Sequence, residues 1–425
     1  RRDRQRYERG LDPWHGSGNA NTSRGQGSMR RTWEVIVIGC GGIGSAAAYW
    51  LARRAGAGVL AIEQFHLGHD RGSSQDHSRI IRRSYHNPDY IALTDPAYDT
   101  WREVEAESGI RILVTCGGLD LELIGTTGVK DLSHCASAMA ANGIPYEQLD
   151  AAELMYRWPQ FRFTDAVRGL YQADGGLVDA RTANAVHVAL ARAHGATIQE
   201  GLAVRSLRSV GDAVEVVTDD GVFTAGHVVL AAGAWTGNLL AELGIDWRLT
   251  VTQEQVTYFA TPHLREFTPD RFPIWIWRDQ EEFYGFPIYG EVATKAGQDV
   301  GGRETTAETR SFEPDGATRE RLVRFLKERI PRFLGPELYT KTCLYTMPPD
   351  RHFVLDAAPG HPRITVAADA AHAFKFATLF GKILSQLALD GETEYPIAPF
   401  RADRPALTDP AFQPIFRNEA VLQRG

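Results

Sequence analysis

The sequence predicts a two-domain α/β protein, in which an open, mostly parallel sheet is joined to a second, antiparallel one. Three observations predict it. Val35-Ile-Val-Ile38, a strand pattern buried on both faces, runs into Gly39, Gly41 and Gly44 with G-x-G-x-x-G spacing. A second apolar strand over 58–62 ends at Glu63, where an acid is expected about 20 residues beyond such a turn. Residues 247–295 then alternate polar and apolar and are rich in aromatics, the pattern of an antiparallel sheet with one solvated face.

The first turn carries the most specific chemistry. Gly39 permits the tight bend, Gly41 lets a pyrophosphate approach the backbone, and Gly44 lets the following helix (46–53) close on the strand. Gly42 and Ile43, within the turn ahead of that helix, are further candidate cofactor contacts, since the free N–H groups of a helix N-terminus favour phosphate. Strand, glycines, helix, strand and Glu63 in that order read as a Rossmann-like dinucleotide site with Glu63 on a ribose.

Composition bounds the rest. The 425 residues exceed one ordinary core, which predicts two domains. Hydrophobic content of 43% and charged content of 23% fit a water-soluble globular chain, and the net charge of −7 disfavours nucleic acid as a partner. No apolar run has the length of a membrane span. Cys40, Cys116, Cys135 and Cys343 form no metal spacing, so no metal is expected and a reducing, cytoplasmic setting is. Residues 1–28, with five arginines in the first nine positions and a Gly/Ser/Asn-rich remainder, read as a leader apart from the fold.

In chain order, the polar loop 68–78 leads to Arg79-Ile-Ile-Arg82, whose two arginines are neighbours if the segment is helical. Helices are predicted over 90–108, 132–142, 179–193, 319–330 and 376–389, and strands over 110–114 and 118–124. A strand-rich run over 196–225 turns at Asp219-Asp-Gly221 and precedes a buried strand, 227–232, that ends at Gly233. Residues 297–316 read as a polar loop, and strands return over 353–356 and 364–368.

At this point the chain resembles the monomeric sarcosine oxidase and N-methyltryptophan oxidase family of FAD-dependent amine oxidases. The resemblance covers roughly residues 33–405. It rests on the Gly39 turn, Gly72-Ser-Ser with Ser78-Arg79-Ile-Ile-Arg82, Phe283-Tyr284-Gly-Phe-Pro287, Cys343-Leu-Tyr345, His372-Ala-Phe-Lys375-Phe376 and Leu384-Ser-Gln-Leu-Ala388. It implies FAD, tethered by a thioether at Cys343, with an FAD-binding domain made of 30–85, 172–245 and 340–392 and a substrate domain made of 86–171 and 246–339. Cofactor contacts implied beyond the glycine turn are Gln64, Ser73, Ser74, Arg79, Val204, Gly233, His372, Phe374 and Lys375. Taken alone, a single cysteine is more often a small core residue.

The same resemblance implies that Arg82 and Lys375 grip a substrate carboxylate, which suits a fixed fork and a point charge. A lysine between Phe374 and Phe376 is odd for a solvated face. Lys295 matches the lysine that activates O2, a role a fixed positive charge can fill. Tyr284 and Tyr345 match hydroxyls lining the substrate cavity. The implied reaction is hydride transfer from a secondary amino or imino acid to the flavin, giving an imine and, from O2, hydrogen peroxide, in a monomer. Two alternatives stay open: an acceptor other than O2, and a flavin-binding protein without catalysis.

The departures concern the substrate. Asp299 stands where the family has a histidine four residues after the lysine and is expected to shift the protonation of the amine. Trp275 stands at the cavity methionine, Gln75 at a histidine, and Ala368-Asp369-Ala-Ala-His372-Ala373 at a glycine-rich turn. Asp299 and the Ala-Phe-Lys-Phe run also match a family member that oxidises a cyclic imino acid, so a cyclic or aromatic secondary amino acid is in play.

Overall fold

Strand Thr32–Ile38 sits at the centre of the first sheet, and its side chains alternate between two cores. Val35 and Val37 face the helices, while Ile36 and Ile38 face the opposite layer. The computed structural model describes residues 31–125 and 132–416. The segment read as a leader, 1–28, lies outside the described residues.

Thr32–Ile38 pairs in parallel with Val59–Ile62 on one side and Gly221–Leu230 on the other. Thr197–Gln199 extends the sheet beyond Val59–Ile62, and His361–Ala368 pairs in parallel with the end of Gly221–Leu230. Val204–Val210 and Ala213–Thr218 form an antiparallel meander with Gly221–Leu230, turning through Asp219-Asp-Gly221 as predicted. Three helices, Gly42–Ala55, Ala180–Ala193 and Ala377–Asp390, cover one face and share one apolar core.

The second sheet has nine strands. Thr250–Phe259, Thr294–Asp299, Glu282–Phe286 and Ile274–Arg278 follow one another antiparallel, with Glu337–Met347 and Arg303–Thr305 paired to Thr250–Phe259. The predicted antiparallel character holds except at one seam, where Ile274–Arg278 runs parallel to Gly118–Leu123. One face of this sheet packs under helix Gly316–Arg329 in a core of Phe161, Phe267, Phe272, Trp275, Trp277 and Phe333.

Three expectations are corrected. The polar loop 297–316 begins as strand, Thr294–Asp299, and contains Arg303–Thr305. Arg79 lies in strand Ser78–Ile81 of a small third sheet, so Arg79 and Arg82 are not helical neighbours. Trp275 does not line the cavity described below; its indole is fully buried against Phe325 and Phe333. Among the described residues no helix is long and apolar enough to cross a membrane.

Candidate functional site

The glycine turn has the geometry its spacing predicts. Gly39 has φ +93°, and a Cβ there would lie 2.5 Å from the Ala231 carbonyl oxygen. A Cβ on Gly44 would lie 1.9 Å from the Gly39 oxygen, so helix and strand close only without one. The Gly42 N–H donates to Ser74 Oγ (2.8 Å), and Gly42 sits against the Phe374 ring, which brings the loop 68–78 and the turn before Ala377–Asp390 onto the helix N-terminus. Glu63 is buried and accepts from the Cys40 N–H (2.9 Å) and the Phe65 N–H (3.1 Å), with His69 3.3 Å away. Burial alone would raise its pKa; His69 and the two amides overcome that and hold it below the ordinary carboxylate value. Gln64 follows directly, Gly233 opens the turn after Gly221–Leu230, and Val204 lies two residues beyond Leu202, whose N–H donates to the Glu63 carbonyl.

Between the two sheets lies a cavity of about 1910 Å3, lined by residues of both. Gly42, Ile43, Ser73, Ser74, Arg79, His372 and Phe374 reach it from the first sheet's side, and Tyr284, Lys295, Asp299, Cys343 and Tyr345 from the second. Arg82 and Lys375 also line it. Gly39, Gly41, Gly44, Glu63, Gln64, Val204 and Gly233 do not.

One part of the lining is a buried cation cluster. Arg82 Nη1 donates to Asp120 Oδ1 (2.8 Å) and the Ser84 carbonyl (2.9 Å); Arg278 donates to the same carboxylate oxygen through Nε (2.9 Å) and Nη2 (2.7 Å). Arg82 Nε is buried with no partner among the described residues. Lys375 lies in the turn Phe374–Phe376, 7% exposed, where its Nζ donates to the His372 carbonyl (2.6 Å). Among the described residues no carboxylate ion-pairs with that ammonium. Burial, then Arg82 and Arg351, depress its pKa well below the ordinary value, against the pull of Asp299. Asp299 is held by Arg351 at 3.2 Å, so the anion predicted to set the amine's protonation is already matched by a cation.

A second part of the lining is built around Lys295. It is 3% exposed and forms an ion pair with Asp76 at 2.6 Å, while Nζ donates to the Ser78 carbonyl (2.9 Å). Burial lowers its pKa to about 8, chiefly opposed by Asp76. Arg79 clamps the loop behind it, donating to the carbonyls of Ser73, Gln75 and Ser78. Cys343 lies directly across from Glu254 in the large sheet. Burial pushes its thiol up to about 11, even though Arg79, Lys295 and Arg310 pull the other way. Burial also raises Tyr284 and Tyr345, which neighbour each other on the wall.

Comparison with known proteins bears on this arrangement directly. The model of the family described as "FAD dependent oxidoreductase" matches residues 34–387. The chain belongs to the FAD-dependent oxidoreductase family. A monomeric sarcosine oxidase of Streptomyces avermitilis is 35% identical over 88% of the chain and 97% of its own length. The N-methyl-L-tryptophan oxidase of Escherichia coli is 30% identical over 88% and 99%. The solved structure of NikD, an unusual amino acid oxidase essential for nikkomycin biosynthesis, superposes with TM-score 0.78 at 29% identity, covering 87% of this chain and 97% of that one.

The residues present fit FAD. A Cβ-free turn at a helix N-terminus, a buried acid beyond the second strand and a cavity larger than the 300–1,000 Å3 of ordinary ligand pockets are what a dinucleotide and a substrate together require. Sequence reasoning missed the residues that hold the site's charges: Asp76, Tyr258, Asp120, Arg278 and Arg351. Only Asp76 left a signal, as the nearer to Arg79 of two acids inside the polar loop 68–78.

Proposed function

We propose that this family member is an oxidase of a secondary amino acid, N-methylated or cyclic, that returns its electrons to O2 and releases hydrogen peroxide. The observation that carries the proposal is Lys375: a buried amine with no carboxylate of the described residues against it, near Arg82, whose Nε has no partner among them. Buried charges are stable when paired, and a substrate carboxylate supplies the missing partner. Asp120 and Ser84 fix the Arg82 guanidinium, and the His372 carbonyl fixes the Lys375 ammonium, so the carboxylate is held in one orientation.

When bound, FAD would supply the two-electron chemistry: oxidation of the carbon next to nitrogen and reduction of O2. The chain's own part is placement and charge. Arg82, Arg351 and Lys375 together disfavour a further cation, so the substrate amine is held neutral, with a lone pair to support loss of hydride. Lys295 places a positive charge where electrons pass to O2. Arg79 holds the loop that carries Ser73 and Ser74 against the cofactor's site. Cys343 would carry the tether; burial pushes its thiol up to about 11, which keeps it protonated at neutral pH. Segments 30–85, 172–245 and 340–392 form the FAD-binding part and 86–171 with 246–339 the substrate part, in a chain that works as a monomer in the cytoplasm. The names of the relatives support an N-methyl or unusual amino acid as substrate.

The test is anaerobic bleaching of the flavin with sarcosine, N-methyltryptophan, proline, pipecolate and unsaturated cyclic imino acids. Bleaching by one class, followed by stoichiometric peroxide on admitting air, is the expected result. Bleaching by primary amines alone, or reoxidation by a quinone and not by O2, would sink the proposal.

A further inference from the structure

Lys295 has the environment of a group whose charge is managed by a neighbour. Its Nζ is enclosed by three strands and the loop before Ser78. Asp76 and Arg79 face it from the loop and the small sheet, Tyr258 from Thr250–Phe259, Phe286 from Glu282–Phe286 and Cys343 from Glu337–Met347. Of these only Asp76 is a carboxylate. The Tyr258 hydroxyl donates to Asp76 Oδ1, and Arg79 lies 3.9 Å from its Oδ2. Asp76 itself has φ +88°, a conformation L-residues rarely adopt, and is 4% exposed. A strained, buried, triply contacted acid aimed at one lysine is a device and not a surface accident.

We propose that Asp76 is the positioning residue of the oxygen-reacting end of the site: its carboxylate, steadied by Tyr258, fixes the Lys295 ammonium at the cavity wall and keeps it protonated. The inference rests on the reading of Lys295 as the charge that serves O2. Without Asp76, burial and the like charge of Arg79 both favour the neutral amine, which holds no positive charge for the oxygen.

The experiment follows reoxidation of the substrate-reduced holoenzyme by O2, in a stopped-flow instrument, across pH 6.5 to 9.5. The wild type should slow as pH rises through about 8, where Lys295 loses its proton. Asp76→Asn, a residue tolerant of positive φ, should move that midpoint down by about one unit, slowing reoxidation about 3-fold near pH 7.5 and close to ~10-fold above pH 9, with little change in the reductive step. Asp76→Gly removes the carboxylate and relieves the backbone, and decides the matter if the Asn variant does not load with FAD. Midpoints unchanged in both variants, while Lys295→Met reoxidises slowly, would overturn the positioning role. Unchanged reoxidation in Lys295→Met would instead remove the oxygen role beneath it.

Melting temperature gives an independent readout. The wild type should exceed Asp76→Gly most near neutral pH, where the buried pair is charged on both sides. The gap should close toward pH 10, where Lys295 is neutral and Asp76 is left without its partner. A gap constant with pH means an ordinary structural acid.

Discussion

Lys375 is where stability and function pull in opposite directions. In the folded chain its ammonium is buried among Arg82 and Arg351, whereas in the unfolded chain it titrates near 10.4. The unfolded state therefore binds more protons over the window from the depressed folded pKa up to about 10.4, and this residue's contribution to stability rises with pH across it. A bound carboxylate restores the charge, so substrate binding should take up protons in the same window. Lys375→Met removes the buried amine, whose proton burial disfavours, and keeps the volume. The resting protein should melt at a higher temperature, while substrate binding, read by anaerobic titration of the flavin spectrum, weakens by 10- to 100-fold, the equivalent of ~1.5–3 kcal/mol for a charged hydrogen bond. A variant that binds substrate as well as the wild type would show that Lys375 grips nothing. This end of the site was half legible in the sequence. Phe374-Lys375-Phe376 marks a lysine off the solvated face, and the motif around Arg79 marks Arg82. Asp120, Arg278 and Arg351 carry no local signal, since each is an ordinary charged residue until the fold sets it beside a cation from a distant segment.

Among elements, the pair Gly42–Ala55 and Ala377–Asp390 ties the dinucleotide turn to the cation cluster. The two helices meet at Gly381, where a Cβ would lie 2.5 Å from the backbone carbon of Ala46. Gly381→Val must push the helices apart, and since Phe374 and Lys375 lie just ahead of the second helix, the turn against Gly42 moves too. Overpacking of this kind costs about 1–3 kcal/mol; the urea midpoint should fall and the purified protein should carry less FAD. Normal FAD content would mean that the helix pair does not set the turn. Elements with strong periodicity were readable to within a few residues: strand 35–38 is the core of Thr32–Ile38, and helix 179–193 is Ala180–Ala193. The stretch 297–316 was not, because its glycines look like loop. In the sheet they are contact points. A Cβ on Gly302 would lie 2.0 Å from the Gln253 oxygen, and one on Gly297 would lie 3.0 Å from both the Gln255 oxygen and the Tyr284 hydroxyl. Composition reports that a glycine is present; only the neighbouring strand says why.

For the whole molecule the cofactor's site is a joint. The glycine turn belongs to the parallel sheet and Cys343 to the nine-stranded one, and the cavity between them is walled by cations, of which Lys295, Arg82 and Arg351 are paired with Asp76, Asp120 and Asp299. On the proposed reading FAD would bring two phosphates to that space, so the holoprotein should be stabilised by more than its contacts with either sheet alone. Acid precipitation of the wild type should leave the yellow colour in the pellet, as a tether at Cys343 requires; colour in the supernatant excludes it. Cys343→Ser should bind FAD reversibly and so allow removal that the wild type does not. At a thousand-fold excess of FAD over its dissociation constant, linkage predicts about 4 kcal/mol of added stability. Removing FAD from that variant should lower its melting temperature and raise hydrogen exchange in 68–78, 343–345 and 369–376, the three segments that meet at the cavity, while Thr32–Ile38 and Gly221–Leu230 stay protected by their own ladder. Uniform loss of protection over both sheets would instead mean that the cofactor is part of the fold's core and the two sheets do not stand without it.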